Sequence, residues 1–188
     1  MEIKVLKKDD IANLTVQAKG SKKFSNRCKW DSLSGQPVDI DISAFAFDGD
    51  TPIGMAYYGN LNWMDALVHS GDERTGDKAG WDEIITLNSD KLPANATKII
   101  IIGNIYSPSG LAFKNMKNLE ISIFDEEANT QLTTFLPAFE EGMADKNAVV
   151  LGEYIIHPST KNVIFKALGN AYNHVNNIYD EYHIPYEK

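Results

Sequence analysis

The chain has 188 residues, of which 43% are apolar, and it carries a formal net charge of −8. This length and composition suffice for one hydrophobic core, so we expect a single domain over residues 1–188. No apolar run approaches the ~20 residues that a membrane helix needs, so we expect no direct membrane insertion. The N-terminus lacks the apolar segment of a signal peptide, and the single Cys28 allows no intramolecular disulfide. Both features indicate a cytoplasmic location.

The negative charge is concentrated in one part of the chain. Residues 31–83 contain eleven Asp and Glu residues but only two basic residues, Arg74 and Lys78, which gives this segment a formal charge of −9. The lysines of the first thirty residues are scattered and are interpreted as solvated faces. Since no basic stripe is available to displace the counterions of phosphates, a nucleic-acid partner is excluded.

The first predicted elements form a hairpin. Residues 39–47 begin with alternating polar and apolar positions, which is typical of a strand. Asp48-Gly49-Asp50 then predicts a tight turn, with the partner strand over residues 53–58. Asp48 and Asp50 are therefore interpreted as turn residues. Residues 62–67 predict one or two helical turns.

The remaining elements are also mainly strands. The β-branched run within residues 98–106 predicts a central strand that is buried on both faces. Other strands are predicted at residues 83–88, 119–124, 148–156 and 162–168. Apolar residues at helical spacing predict a terminal amphipathic helix over residues 170–182. Many short strands with Gly, Pro and Asn turns favour an all-β fold, namely a β-sandwich of two mainly antiparallel sheets with a short C-terminal helix.

One loop has a composition that suits a metal ion. Residues 71–83 place five acidic residues among three glycines. Clustered carboxylates repel one another unless positive charge lies among them. Calcium ions take roughly 6–8 oxygen ligands, which a glycine-rich loop can bring together. The alternative is a solvated acidic loop without an ion, and this segment alone does not decide between the two.

Several segments carry a resemblance to a known family. Trp30-Asp31 and Asp39-Ile40-Asp41-Ile42-Ser43-Ala44-Phe45 resemble the GWD and DLDASAF segments of the TerD-type tellurium-resistance and bacterial stress proteins. Tyr58-Gly59-Asn60-Leu61 resembles the YNNL of that family, and residues 68–76 followed by Asp82-Glu83 resemble its HTGDNRTGEGDGDDE signature. Gly152-Glu153-Tyr154, Phe165-Lys166-Ala167-Leu168-Gly169 and Tyr172 match its closing GELY and FRAVGQGY in order. The resemblance covers nearly the whole chain.

The resemblance implies a β-sandwich that binds Ca²⁺ through acidic loops. Carried over residue by residue, it implies two groups of metal ligands. They are Asp31, Asp39, Asp41 and Asn60 in one strip, and Asp72, Asp82 and Glu83 in the signature loop. The spacing of Asp39 and Asp41 also places their carboxylates on one face of a strand.

This chain departs from the family pattern within the signature loop. The family's GDGDDE reads Lys78-Ala79-Gly80-Trp81-Asp82-Glu83 here, so that Ala79 and Trp81 replace acidic residues and Lys78 replaces a glycine. The first Asn of YNNL is Gly59. We therefore expect fewer calcium ions or weaker binding than in a standard member. The ammonium group of Lys78 is an alternative source of positive charge, which would neutralise the loop without metal.

Neighbouring residues keep two interpretations each. Glu73 and Asp77 either face solvent or act as further ligands. Asp31 is either a metal ligand or a turn or cap residue. Arg74 is expected to pair with a local carboxylate rather than with a substrate. Trp81 is expected to pack against the core rather than to stack over the loop or mark a partner-binding spot.

No catalytic pattern stands out. The four histidines, at positions 69, 157, 174 and 183, lack the spacing of a metalloprotease helix, and no phosphate-binding or nucleophile motif occurs. Two classes of function remain. One is a non-catalytic, calcium-binding stress-response protein that acts by binding protein partners in a stress-response complex. That complex is either membrane-associated or not. The other is a metal-independent interaction module that has partly lost its calcium site. The sequence does not specify the oligomeric state.

Overall fold

The computed structural model describes residues 3–33, 37–76, 79–106, 110–137 and 142–186. Strands dominate this part of the chain, with two short α-helices. In chain order the elements are β1 (Lys4–Leu6), β2 (Ile11–Asn13), α1 (Leu14–Gln17), β3 (Lys23–Ser32), β4 (Asp39–Asp48), β5 (Thr51–Ala56), β6 (Asn62–Trp63), β7 (Leu67–His69), β8 (Glu83–Asn88), β9 (Lys98–Tyr106), β10 (Met116–Asp125), β11 (Thr130–Phe135), β12 (Ala148–Ile156), β13 (Val163–Tyr172) and α2 (Val175–Glu181).

The strands form two sheets. One has the order β1-β11-β10-β3-β8-β7-β6, and the other has the order β2-β13-β12-β9-β4-β5. Every pair is antiparallel except β1 with β11. The predicted fold class, a sandwich of two mainly antiparallel sheets with a short C-terminal helix, is confirmed.

The central strand β9 shows how the core is divided. Ile99 and Ile101 belong to the apolar cluster between the two sheets, whereas Ile100 and Ile102 belong to a second cluster on the outer face of their sheet. Ile178 of α2 lies in that second cluster. The prediction that this strand is buried on both faces is confirmed, because α2 covers the face that would otherwise meet water.

The predicted hairpin is confirmed with a small shift. β4 ends at Asp48 and β5 begins at Thr51, with Gly49 at a positive φ of 57° in the turn. The partner strand ends at Ala56 rather than at residue 58.

The helical prediction for residues 62–67 is wrong. Asn62 and Trp63 form β6, which pairs with β7 across a turn. Met64 and Asp65 adopt positive φ values of 56° and 55°, which no right-handed helix allows. The Asn62 side chain accepts a hydrogen bond from the Asp65 N–H at 2.8 Å, so a local polar contact stabilises the turn.

The terminal helix is shorter than predicted. β13 continues to Tyr172, and α2 begins only after His174, whose Nδ1 accepts a hydrogen bond from the Asn176 N–H at 3.2 Å. The prediction is confirmed for residues 175–181 and wrong for residues 170–172, which extend a strand. Ala171 fits the helical spacing, but it packs against the core as a strand residue.

Strand β3 was not predicted at all. Its basic residues suggest a solvated face. The residues that alternate with them are nevertheless buried, namely Phe24, Asn26, Cys28 and Trp30. β3 lies between β10 and β8 in the first sheet. It brings Trp30 and Asp31 close to the acidic loop.

Candidate metal centre

Three of the predicted ligands meet at one point. Asp39 and Asp41 lie at the start of β4, on the outer face of its sheet, and Asp72 comes from the acidic loop. One carboxylate oxygen of each lies within 4.8 Å of the other two. Among the described residues, this is the one group of three or more His, Cys, Asp or Glu side chains with such spacing.

The three carboxylates differ in exposure. Asp41 is only 9% exposed, and its Oδ2 accepts a long hydrogen bond of 3.4 Å from the Asn104 amide on the neighbouring strand. The Oδ1 atom of Asp39 is buried and has no hydrogen-bond partner in the described part of the chain. Asp72 is exposed. The group therefore has a buried base and an open rim.

Burial and mutual repulsion raise the pKa values of two members of this group. Burial raises the pKa of Asp41 to about 7, and the negative charges of Asp39, Glu83 and Asp72 add to the effect. Burial likewise raises the pKa of Asp39 to about 6, with a contribution from Asp72 that the nearby Arg74 partly opposes. A bound cation would offset both the loss of hydration and the repulsion between the carboxylates, because it binds their oxygens and neutralises their charge.

Arg74 is a weak counter-charge for the group. Its Nε lies 3.8 Å from Asp39 Oδ2, and its side chain is 72% exposed. Such an exposed ion pair contributes little to stability, because water screens the attraction between the two charges. The expectation that Arg74 pairs with a local carboxylate is confirmed.

Glu83 is engaged with the protein backbone. It is fully buried; its Oε2 accepts a hydrogen bond from the Ile42 N–H at 2.9 Å and its Oε1 accepts one from the Glu73 N–H at 3.3 Å. β5 pairs with β4 only from Ala44 onward, so the Ile42 amide would otherwise be unsatisfied. Glu83 therefore links the acidic loop to β4.

His69 completes this link. Its Nδ1 accepts a hydrogen bond from the Gly71 N–H at 3.0 Å, so the ring proton is on Nε2. Nε2 lies 3.0 Å from the Ile42 carbonyl oxygen and 3.2 Å from Glu83 Oε2. Both ring nitrogens are thus committed to structural contacts.

Asp82 and Asp31 lie outside the group of three. Asp82 is 1% exposed; its Oδ2 accepts a hydrogen bond from the Trp30 N–H at 2.9 Å, whereas its Oδ1 is buried with no partner among the described residues. Burial raises the pKa of Asp82, and the charges of Glu73 and Asp31 add to this, while the bond from Trp30 opposes it. Asp31 lies in β3 and not in a turn, and it accepts a 2.7 Å hydrogen bond from Asn118.

Asn60 lies in the turn that follows β5. Its backbone forms a bridge with Tyr57, and its side-chain amide donates to the Met55 carbonyl at 2.8 Å. The amide nitrogen is therefore used to hold the turn.

The acidic loop folds around Glu73. The Glu73 carboxylate accepts hydrogen bonds from the Thr75 hydroxyl at 2.9 Å and from the Gly76 N–H at 2.7 Å. Burial raises the pKa of Glu73, but these hydrogen bonds outweigh burial and lower it overall. Gly76 has a φ of 69°, and a Cβ there would lie 2.5 Å from the Trp30 ring. The glycine is required because the loop passes directly over that ring.

The departures from the family pattern lie at the end of this loop. Ala79 is exposed, and half-buried Trp81 packs edge-on against Phe124 at a centroid distance of 5.8 Å. Phe124 is itself only half-buried, and neither ring belongs to an apolar core cluster, so the expectation that Trp81 packs against the core is not confirmed. Asp77 and Lys78 lie outside the described residues.

Two residues near the site were not anticipated. Asn104 pairs directly with Asp41 across β9 and β4, and His69 supports Glu83. Asn104 interrupts an isoleucine-rich strand, which is the one sequence signal that marked it. No local signal marked His69, because its role depends on contacts between the two sheets.

A family model supports the resemblance. The model described as the TerD domain matches residues 1–182. The chain belongs to the TerD domain family. Its relatives in this family include the tellurium resistance protein TerD of Serratia marcescens, which is 28% identical over 76% of this chain and 77% of that protein. General stress protein 16U of Bacillus subtilis is 29% identical over 89% of this chain and 90% of its own length.

A solved structure shares the TerD-family fold. The homologue of telluride resistance protein TerD, SCO6318 from Streptomyces coelicolor A3(2), superposes with a TM-score of 0.69 at 19% identity, over 85% of this chain and 95% of that chain. In the described part of this chain, no helix is long and apolar enough to span a bilayer.

Proposed function

We propose that this TerD-family chain is a calcium-binding, non-catalytic stress-response protein that acts in the cytoplasm through protein partners. The observation that carries the calcium proposal is the convergence of Asp39, Asp41 and Asp72, of which Asp39 also has a buried oxygen with no partner among the described residues. These three carboxylates form a strongly negative, all-oxygen site, in which exposed Arg74 is a weak counter-charge. Calcium suits such a site, because it accepts carboxylates in either mono- or bidentate geometry and completes its shell with water or carbonyl oxygens.

The surroundings favour binding over catalysis. His69 is the histidine linked to this site through Glu83, and both of its ring nitrogens are engaged with other groups. A histidine that acts as a general base needs a free ring nitrogen within reach of a substrate proton. The role in stress or tellurium resistance follows the names of the relatives and is carried to this chain as part of the proposal.

The alternative is a metal-independent interaction module, and one observation favours it. Ala79 and Trp81 supply no carboxylate where the family pattern has acidic residues, and Trp81 instead packs against Phe124. A site that needed those two positions would have lost much of its charge.

Calorimetric titration of the chelator-treated protein with Ca²⁺ distinguishes the two functions. We expect saturable binding by the wild type and loss of binding in Asp41→Asn, because that change removes the most buried of the three clustered carboxylates. Asp50→Asn is the matched control, since the Asp50 side chain is 93% exposed in the hairpin turn. Absence of binding by the wild type would support the metal-independent module.

The cellular role needs a separate test. A strain that lacks this protein should be more sensitive to tellurite or to general stress than its parent. Wild-type protein should restore resistance, and Asp41→Asn should not. Equal rescue by both would show that the cellular role does not need the metal centre.

A further inference from the structure

A cavity of about 310 Å³ opens beside the candidate metal centre, on the outer face of the second sheet. Its floor is formed by β4 and β9, where Asp41 and Ser43 lie beside Asn104. Its walls carry tyrosines from three separate parts of the chain, namely Tyr57, Tyr58, Tyr106, Tyr179 and Tyr186. The volume is at the small end of the range for ligand sites. It suits a group of a few heavy atoms rather than a large cofactor.

The tyrosine rings surround the cavity at different angles. Tyr57 and Tyr58, which follow β5, meet at 79° with ring centroids 5.3 Å apart. Tyr179 and Tyr186, at the C-terminal end, meet at 51° with the same separation. The rings of each pair are therefore not coplanar and do not form one flat stacking surface.

The polar end of the cavity is a carboxylate. Asp41 is 9% exposed, and its nearest described partner is the neutral amide of Asn104 at 3.4 Å. Burial raises the pKa of Tyr58 and of Tyr179, and the negative charge of Asp41 adds to both shifts. Asp41, Tyr58 and Tyr179 also line the same cavity, so the carboxylate and the tyrosines of both walls border one space.

The charge around the cavity favours a positive ligand. None of the described residues that line it is basic. A neutral ligand would leave the Asp41 charge without a partner in a poorly hydrated place, which is unfavourable. Calcium does not suit the tyrosine walls, because it requires oxygen ligands and the ring faces supply none. A weakly hydrated organic cation fits both surfaces, because aromatic faces attract it and the carboxylate neutralises it.

We propose that this cavity binds an organic ammonium group, with the tyrosine rings against its methyl or methylene groups and Asp41 as its counter-charge. The site shares Asp41 with the proposed calcium centre but needs no metal ion. The ammonium group belongs either to a free small molecule or to a methylated lysine side chain of a partner protein. Both sources present the same chemistry to the cavity.

Choline and its neutral isostere 3,3-dimethyl-1-butanol provide the direct test. Each is titrated into the calcium-free full-length protein at constant ionic strength, and binding is followed by calorimetry. We expect choline to bind about tenfold more tightly than the neutral compound, because the isostere has the same shape but no charge. Equal affinities would overturn the proposal.

Variants of Tyr58 and Asp41 test the two surfaces separately. Tyr58 is 52% exposed, so it can be replaced without opening the core. Tyr58→Ala should weaken choline binding several-fold, Tyr58→Phe should bind like the wild type, and Asp41→Asn should lose the preference for choline. Unchanged choline binding by Tyr58→Ala would overturn the proposal. Calcium titration of Tyr58→Ala keeps the two sites distinguishable, because this variant should retain the calcium affinity of the wild type.

A peptide pair identifies the source of the ammonium group. One peptide carries trimethyllysine, and the other carries norleucine at the same position. Tighter binding of the trimethyllysine peptide than of choline supports a partner protein, and equal or weaker binding supports a small molecule. If neither choline nor the trimethyllysine peptide binds better than its neutral counterpart, the cavity is not an ammonium site.

Discussion

Asp72 and Glu83 illustrate two different uses of an acidic side chain within one loop. Asp72 is exposed at the rim of the candidate metal centre, whereas Glu83 is fully buried and accepts hydrogen bonds from the backbone of Ile42 and Glu73. Removing the first should affect ion binding, and removing the second should affect folding. The two effects can be measured separately.

Asp72→Ala should weaken calcium binding about tenfold or more, because a carboxylate ligand is lost from a group of three. The stability of the ion-free protein should stay the same or rise, since one repelling charge has gone. Calorimetric titration and urea unfolding measure these two quantities. Asp48→Ala is the control, because exposed Asp48 contacts only Asn95 beside the hairpin turn among the hydrogen bonds described for it. Equal loss of affinity in both variants would mean that general acidity, and not a built site, attracts the ion.

Glu83→Ala should destabilise the ion-free protein by about 1–3 kcal/mol or more, because the buried Ile42 N–H loses its acceptor. The His69 ring loses the neighbouring carboxylate at the same time. Urea unfolding in chelator measures the change. A Glu83→Ala variant as stable as the wild type would show that the link between the loop and β4 is unimportant for folding.

At the scale of elements, the acidic loop depends on its fit over β3. The Gly76 backbone lies against the Trp30 ring, and Trp30 is fully buried with its indole N–H donating to the Val38 carbonyl at 2.9 Å. Burial and this hydrogen bond fix the position of the Trp30 ring, so it cannot move aside easily. The loop reaches the metal centre only if the chain at residue 76 has no side chain.

Gly76→Ala should therefore destabilise the protein by about 2–4 kcal/mol, through a clash with Trp30 as well as the cost of a positive φ. Gly71→Ala is the matched control: Gly71 also has a positive φ, 106°, but no atom lies within 4 Å of the Cβ position. The control should lose only about 1 kcal/mol. Thermal and urea unfolding of both variants measure the difference. Equal losses would show that the backbone conformation, and not the contact with Trp30, explains the glycine.

At the scale of the whole molecule, calcium binding at the candidate centre should increase stability. A ligand that binds only the folded state adds about 2.7 kcal/mol at a hundredfold excess over its dissociation constant. We therefore expect Ca²⁺ to raise the unfolding temperature. Mg²⁺ should raise it less, because it needs near-ideal octahedral geometry and loses water reluctantly. Differential scanning calorimetry with each ion measures both shifts. Identical shifts would indicate nonspecific screening of the acidic segment.

The stability of the ion-free protein should also depend on pH, and bound calcium should cancel that dependence. Burial raises the pKa of Asp39 to about 6 and of Asp41 to about 7, above the value of about 3.9 for an unfolded Asp. The folded state thus binds protons more tightly, so these groups stabilise the ion-free protein at low pH. That contribution is lost as the pH rises from about 4 to about 7. Calcium needs the ionised carboxylates, so the stabilisation by Ca²⁺ should grow over the same range.

Unfolding temperatures at pH 5, 6, 7 and 8, with and without Ca²⁺, measure this dependence. Asp41→Asn should flatten the ion-free profile, because it removes the group with the higher pKa. A calcium-dependent shift that is constant across this range would show that the ionisation of Asp39 and Asp41 is not linked to binding.

Local patterns in the sequence determined much of the fold. The isoleucine run of β9, the Asp48-Gly49-Asp50 turn and the alternation at the start of β4 each act within a few residues, so each is readable without the rest of the chain. The spacing of Asp39 and Asp41 likewise places both carboxylates on one face of a strand, whatever its neighbours are. Family resemblance added Asp72, which the structure brings to the same point.

Only the tertiary structure decided what depends on distant partners. β3 is a central strand because β8 and β10 pair with it, although its basic residues suggested a solvated face. Glu83 became a buried acceptor because β5 leaves the Ile42 amide unpaired, and no local pattern records where a neighbouring strand ends. The tyrosine-lined cavity combines three separate parts of the chain in the same way. Sequence periodicity reports which face a residue occupies, whereas the packing of the sheets determines what that face meets.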